Sequence, residues 1–267
     1  MKPTAIQQHA VKLLDELNIK TLPIDPFHIV EKLDVVFKEA PLPEGKWGTT
    51  LKKAARPLII ISNSIGNQDR KRFTLAHELG HLRIPHHQSE KYECFYWDIA
   101  EEGKTKNEQE REANEFAAEL LMPMSWFAKD AENEDLTAEA IQKLADKYHS
   151  SFTSTALKAP QFMYGICGTI LLKNGAVDYF ARSEDCSEKR LFIQRGTPVP
   201  PNSSYNDIKD ASKFAIGDKV KTYPDVWFDS GSKSLARYNG KMIEQAVIIP
   251  QYNTGIIFIS FEDDFDD

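Results

Sequence analysis

Two histidines one helical turn apart, with a glutamate after the first, mark the stretch of this chain best equipped for chemistry: His77-Glu78-Leu79-Gly80-His81. On a helix, residues i and i+4 share a face, so His77 and His81 can offer their imidazoles to one zinc ion. Glu78 then sits about 100° around the helix, beside the metal, where a base can take a proton from an activated water. The surrounding positions Thr74, Leu75, Ala76, Leu79, Gly80 and Leu82 carry no charge, as suits a helix inside a core. Asn67 or Asp69 supplies an N-cap and Pro85 a stop signal.

A zinc ion open to water needs a third protein ligand. The run from Asn107 to Met122 reads as a second helix. Stepped at about 100° per residue, Ala113, Phe116, Ala117, Leu120 and Leu121 spread over one side, with Glu110 near its middle. Glu108, Glu112, Glu115 and Glu119 fall on the opposite, solvated side. A carboxylate aimed into a core is costly unless paired or bound to metal. Glu110 is therefore the natural third ligand. His87, ten residues after His77, is a rival. The pattern that uses a histidine there needs glycine midway to turn the chain, and this sequence has Ile84-Pro85. The expectation for His86 and His87 is two solvent-facing loop histidines. Asn114, one turn after Glu110, can hydrogen-bond the outer nitrogen of a metal-bound histidine or simply its own backbone. His86, Tyr92 and Tyr96 stand as candidate oxyanion donors.

Elements must position these groups. The chain has 267 residues, 41% hydrophobic and 27% charged, enough for one large or two modest domains. A helix through Ile6, Ala10, Leu13, Leu14 and Leu17 opens it, and Asp25-Pro26 starts a second. Strands are expected near Val35–Phe37, Thr49–Leu51 and Leu58–Ser62, the last apolar throughout and central. A strand beside the H-E-x-x-H helix would form a cleft wall on which an extended peptide can pair. From Leu82 to Lys106 runs a long connection containing Cys94-Phe95-Tyr96-Trp97. Thr137 caps a further helix, and with 150–159 this makes a helix-turn-helix-like pair. After Pro160 the texture turns to strands, at 166–173, 177–182, 191–194, 219–222, 226–228, 245–249 and 256–261, with Asn174-Gly175 as a hairpin turn. The expected fold is α+β. A mainly helical zincin-like N-terminal domain with a small sheet, residues 1–159, precedes a β-rich domain, 160–267, whose acidic end 262–267 is a frayed tail.

Bulk properties narrow the class. A net charge of −7 disfavours direct nucleic-acid binding. Cys94, Cys167 and Cys186 are widely spaced, with no C-x-x-C, and suit free thiols in a reducing compartment. No apolar run approaches the ~20 residues of a membrane span, and the first residues are amphipathic rather than signal-like. A cytoplasmic protein is the expectation.

Two blocks together resemble the ImmA/IrrE family of metallopeptidases: Arg72-Phe73-Thr74-Leu75-Ala76-His77-Glu78-Leu79-Gly80-His81, and the stretch from Glu110 through Ala113-Asn114-Glu115-Phe116 to Met122-Pro123. The resemblance implies a cytoplasmic, gluzincin-like zinc endopeptidase that cleaves a helix-turn-helix repressor of stress or mobile-element genes. By position it implies His77, His81 and Glu110 as zinc ligands, with Glu112 in place of Glu110 if the alignment slips, and Glu78 as catalytic base. The alternative is a non-catalytic sensor or protein-binding module that keeps the zinc fold as scaffold; intact Glu78 favours the enzyme.

Overall fold

The structure is a computed structural model that describes residues 2–53, 55–100, 107–228 and 242–262. The chain divides into two compact units, one of residues 1–126 with 147–151, the other of residues 127–146 with 152–267.

The first unit sets its helices against a small mixed sheet of four strands. Thr4 closes a capping box with Gln7 at the start of α1 (Ala5–Glu16), and Asp25 caps α2 (Pro26–Lys32), whose first residue is proline. Strands β1 (Val36–Ala40), β2 (Lys46–Leu51), β3 (Leu58–Ser62) and β4 (Lys91–Phe95) lie in the order β1-β3-β2-β4, with β1 parallel to β3 and the other pairs antiparallel. The apolar β3 is interior, as its sequence predicts. The H-E-x-x-H stretch lies on α3 (Gln68–Arg83), whose Asn67 cap accepts from the Arg70 amide. Every residue from Thr74 to His81 is buried, so the helix is enclosed on all sides rather than amphipathic. Glu110 lies on α5 (Glu108–Leu121), capped by Asn107.

Gly80 makes the crossing of α3 and α5 tight. A Cβ there would stand 3.2 Å from the Ala113 Cα and from the Phe116 ring. With only hydrogen at that point the two backbones come close enough for residues on one helix to meet short side chains on the other. Leu75, Leu79, Phe116, Ala117 and Leu120 fill the space around the crossing with α1 residues Leu13 and Leu14.

The long connection after α3 is more ordered than its composition suggests. It supplies β4, which pairs with β2, and the short α4 (Tyr96–Ala100). Residues 101–106 lie outside the described residues. Glu119, expected on the solvated face of α5, is buried instead, because its carboxylate accepts from the Met124 amide and caps α6 (Met124–Ala131).

The second unit takes in most of α7 (Ala138–Tyr148), headed by the Thr137 hydroxyl, and α8 (Phe152–Lys158). Its sheet joins β5 (Cys167–Lys173), β6 (Ala176–Arg182), β7 (Ala215–Ile216), β8 (Val220–Thr222), β9 (Met242–Ile249) and β10 (Thr254–Phe261) in the path β6-β5-β10-β9-β7, with β8 also on β9. The β5–β6 turn has positive φ at both Asn174 and Gly175, the conformation that an Asn-Gly hairpin turn selects. Two expected strands are absent. Residues 191–194 form no strand, and 224–226 form a 3-10 turn that Pro224 initiates. Of the expected acidic tail, 263–267 lie outside the described residues. The fold is thus α+β, a helical N-terminal region followed by a β-rich C-terminal sheet.

Candidate metal centre

Three electron-rich groups converge where α3 crosses α5. His77 Nε2 lies 3.0 Å from Glu110 Oε2, and His81 Nε2 lies 3.2 Å from His77 Nε2 and 3.5 Å from Glu110 Oε1. All three side chains are buried.

The hydrogen bonds behind the rings set their tautomers. Asn114 donates from Nδ2 to the Asp98 carbonyl at 2.6 Å, which turns its Oδ1 to His77 Nδ1 at 2.8 Å. An amide oxygen only accepts, so His77 carries its proton on Nδ1 and presents a lone pair at Nε2. A longer chain does the same for His81. Glu112 Oε2 lies 2.9 Å from His87 Nε2, and His87 Nδ1 lies 3.0 Å from His81 Nδ1. The carboxylate takes the His87 Nε2 proton, leaving His87 Nδ1 to accept from His81 Nδ1–H. His81 Nε2 is then also a lone pair. Burial lowers the His81 pKa to about 4, so the ring is neutral at pH 7.

Two lone pairs and a carboxylate facing one point repel one another unless a positive charge lies between them. Their separations of 3.0 to 3.5 Å bracket the roughly 3.3 Å edge of a tetrahedron with metal–ligand bonds of about 2.0 Å. The donor set and its geometry fit a zinc ion. Burial works against an ionised Glu110, but in the ion-free site a proton shared with the imidazole Nε2 atoms takes the place of the metal's charge, raises the His77 pKa and holds the carboxylate pKa down at about 2.

Glu78 is held beside this point rather than in it. Its Oε2 accepts from the Thr50 hydroxyl at 2.5 Å, and its Oε1 is buried with no hydrogen-bond partner among the described residues. Burial pushes its pKa up to about 7. Gly48 on β2 makes room, since a Cβ there would fall 2.0 Å from Glu78 Oε1.

Alternate residues of β4 face the same place, as the two-residue period of a strand requires. The Tyr92 ring stacks on His81 at 4.1 Å between centroids, and its hydroxyl accepts from the Ser89 amide. A ligand atom of buried Cys94 lies within 4.8 Å of one from His77 and one from Glu110. Burial raises the Cys94 thiol pKa to about 11.

Several of these residues escape sequence reading. His87, expected to face solvent, is fully buried because its ring is wired to both His81 and Glu112. His86 is exposed and contacts Glu112 at 2.7 Å. Glu112, the fallback for Glu110, turns to these two histidines and not to His77. Thr50, Gly48 and Cys94 carried no signal, because the β2–β4 pairing that brings them in is long-range. Of the candidate oxyanion donors, Tyr92 and His86 are engaged as described, and Tyr96 is 46% exposed.

Among the described residues no helix is long and apolar enough to cross a membrane. Residues 30–159 match the Peptidase M78 family, described as the IrrE N-terminal-like domain. The chain is 26% identical over 224 residues to the radiation response metalloprotease IrrE of Deinococcus radiodurans, an alignment covering 77% of this chain. The chain spans only 63% of the length of that curated relative. A solved structure described as a Mycobacterium tuberculosis transcriptional regulator superposes with a TM-score of 0.57, covering 97% of this chain and 77% of its own at 14% identity, a likeness of fold. The matched segment holds His77, Glu78, His81 and Glu110 alike, and over it the chain is similar to the IrrE N-terminal-like domain.

Proposed function

We propose that the chain is a zinc-dependent endopeptidase in which His77, His81 and Glu110 hold the metal and Glu78 is the base. The observation that carries this reading is the convergence of two imidazole lone pairs and a carboxylate on one point, with an ionisable carboxyl beside it. The relative named a metalloprotease supports it. Bound zinc supplies Lewis acidity and brings the pKa of a coordinated water towards ~7.

The chain's own groups do the rest. Thr50 fixes one Glu78 oxygen, so the other, Oε1, is free to take the proton of the attacking water. Glu78 then hands that proton to the leaving amine. The β4 strand is at the sheet's edge, so an extended peptide can add to it through backbone hydrogen bonds. Tyr96 and Trp97, each 46% exposed just past β4, offer apolar contact to substrate side chains. We assign residues 1–159 to the peptidase and 160–267 to a domain of separate role. The protein substrate is a helix-turn-helix repressor, and the chain works in the cytoplasm.

Incubating the zinc-loaded chain with a repressor encoded beside its own gene tests this reading. Cleavage that a chelator stops and zinc restores supports it. Stoichiometric binding without cleavage would favour a sensor module instead.

Two substitutions probe the supporting groups. Gly48→Ala drives a methyl into Glu78 Oε1 and displaces the base. Hydrolysis should fall roughly 10²-fold, as a misplacement of about 1 Å can cost, while zinc affinity changes little. Asn114→Ala frees the His77 tautomer, and zinc affinity should fall about 10- to 100-fold in a competition titration.

A further inference from the structure

Beside the primary ligands is a second set, of which the site above uses only the His87–Glu112 contact, to orient His81. His86 is exposed, His87 is buried and Glu112 is partly buried, and one ligand atom from each lies within 4.8 Å of the others. Glu112 Oε2 is 2.7 Å from His86 Nε2 and 2.9 Å from His87 Nε2. The two rings stand at 84°, so their nitrogens approach one oxygen from different directions. The backbone beneath them is fixed. His87 N–H donates to the Ile84 carbonyl at 3.2 Å, and the Lys52 ammonium donates to the carbonyls of His81, at 2.7 Å, and of His87.

We propose that His86, His87 and Glu112 form a second site for a divalent transition metal, and that filling it weakens the primary site. Two imidazoles and a carboxylate are a zinc-type donor set, and the exposed His86 gives an ion a path from solvent. The coupling rests on the function proposed above and on one contact, the 3.0 Å separation of His81 Nδ1 and His87 Nδ1. When the primary site is filled, His81 donates from Nδ1 and His87 accepts. A metal on His87 Nε2 displaces the proton there and leaves the neutral ring protonated at Nδ1. Two N–H donors then face each other across 3.0 Å, and His81 keeps either its outer partner or its lone pair at Nε2, not both. Loss of such an outer partner costs about 10- to 100-fold in affinity. Because loss of an outer partner costs activity as well as affinity, the second site is an overload device, which lowers activity when free metal is abundant.

Titrating zinc into the metal-stripped full chain against a chromophoric chelator tests this. The wild-type chain should bind in two steps, the second about 10- to 100-fold weaker. His86→Ala, a change at an exposed residue, should bind in one step with the affinity of the first. Hydrolysis by the wild-type chain should fall as the second step fills, and in His86→Ala it should show no such fall. A single step in the wild-type chain, or a second step that survives in His86→Ala, overturns the second site. A second step with undiminished hydrolysis overturns the coupling. A chain that binds no zinc overturns the primary reading as well, so the two failures are distinct.

Discussion

Glu78→Gln should bind zinc as the wild-type chain does and lose roughly 10²- to 10⁴-fold in hydrolysis, the usual contribution of a general base. Glutamine keeps the shape of the side chain, and its amide oxygen still accepts from Thr50, so the ligands keep their places. What disappears is a group able to take and return a proton. Parallel metal analysis and cleavage assays of the two proteins check this, and wild-type cleavage by the variant would refute the mechanism. Only ionised Glu78 is a base, and in the metal-free chain burial delays its ionisation to about pH 7. Activity should therefore rise with pH on its acid limb, and a dication nearby, favouring the charged form, moves that limb below 7. Glu78→Gln should lack it.

The second large effect is on stability. A ligand that binds only the folded chain stabilises it by about 2.7 kcal/mol at a hundred times its dissociation constant. For a domain of this size that is a rise in melting temperature of roughly 5–10 °C. Removing zinc with a chelator should lower the transition of the first unit by that amount, and refilling should restore it. Lone pairs and carboxylate left facing one another add to the loss. Glu110→Gln, which exchanges the anionic ligand for a neutral one, should show a much smaller shift on adding zinc. An equal shift in that variant would remove Glu110 from the ligand set.

The positions of His77, His81 and Glu110 could be read in advance because helical periodicity is local. The i, i+4 spacing gave the histidines a common face, and the angular census of α5 left Glu110 turned inward. Periodicity does not reach Glu119, whose inward turn depends on the start of the next helix, at Met124. The burial of His87 is hidden from the sequence for a related reason. A loop histidine next to proline looks solvent-facing until the fold brings Glu112 and His81 to its two nitrogens. Thr50, Gly48 and Cys94 sit on strands whose pairing joins segments some forty residues apart, and no local pattern marks them. In the second unit the long apolar strands β5, β9 and β10 were legible. The run at 226–228 was not, because Pro224 diverts the chain into a tight turn.

Gly80 places a constraint on how this chain can vary. Because α3 and α5 meet there through main chain, the gap between them is set by backbone thickness, and no change of rotamer can widen or narrow it. A single added methyl, Gly80→Ala, would act as a shim, tilting the helix that carries Glu110 away from the two imidazoles. Metal affinity should then drop although every coordinating residue is retained, a defect detectable in zinc titration and one that trimming Ala113 would not repair, because its contacting atoms are main chain.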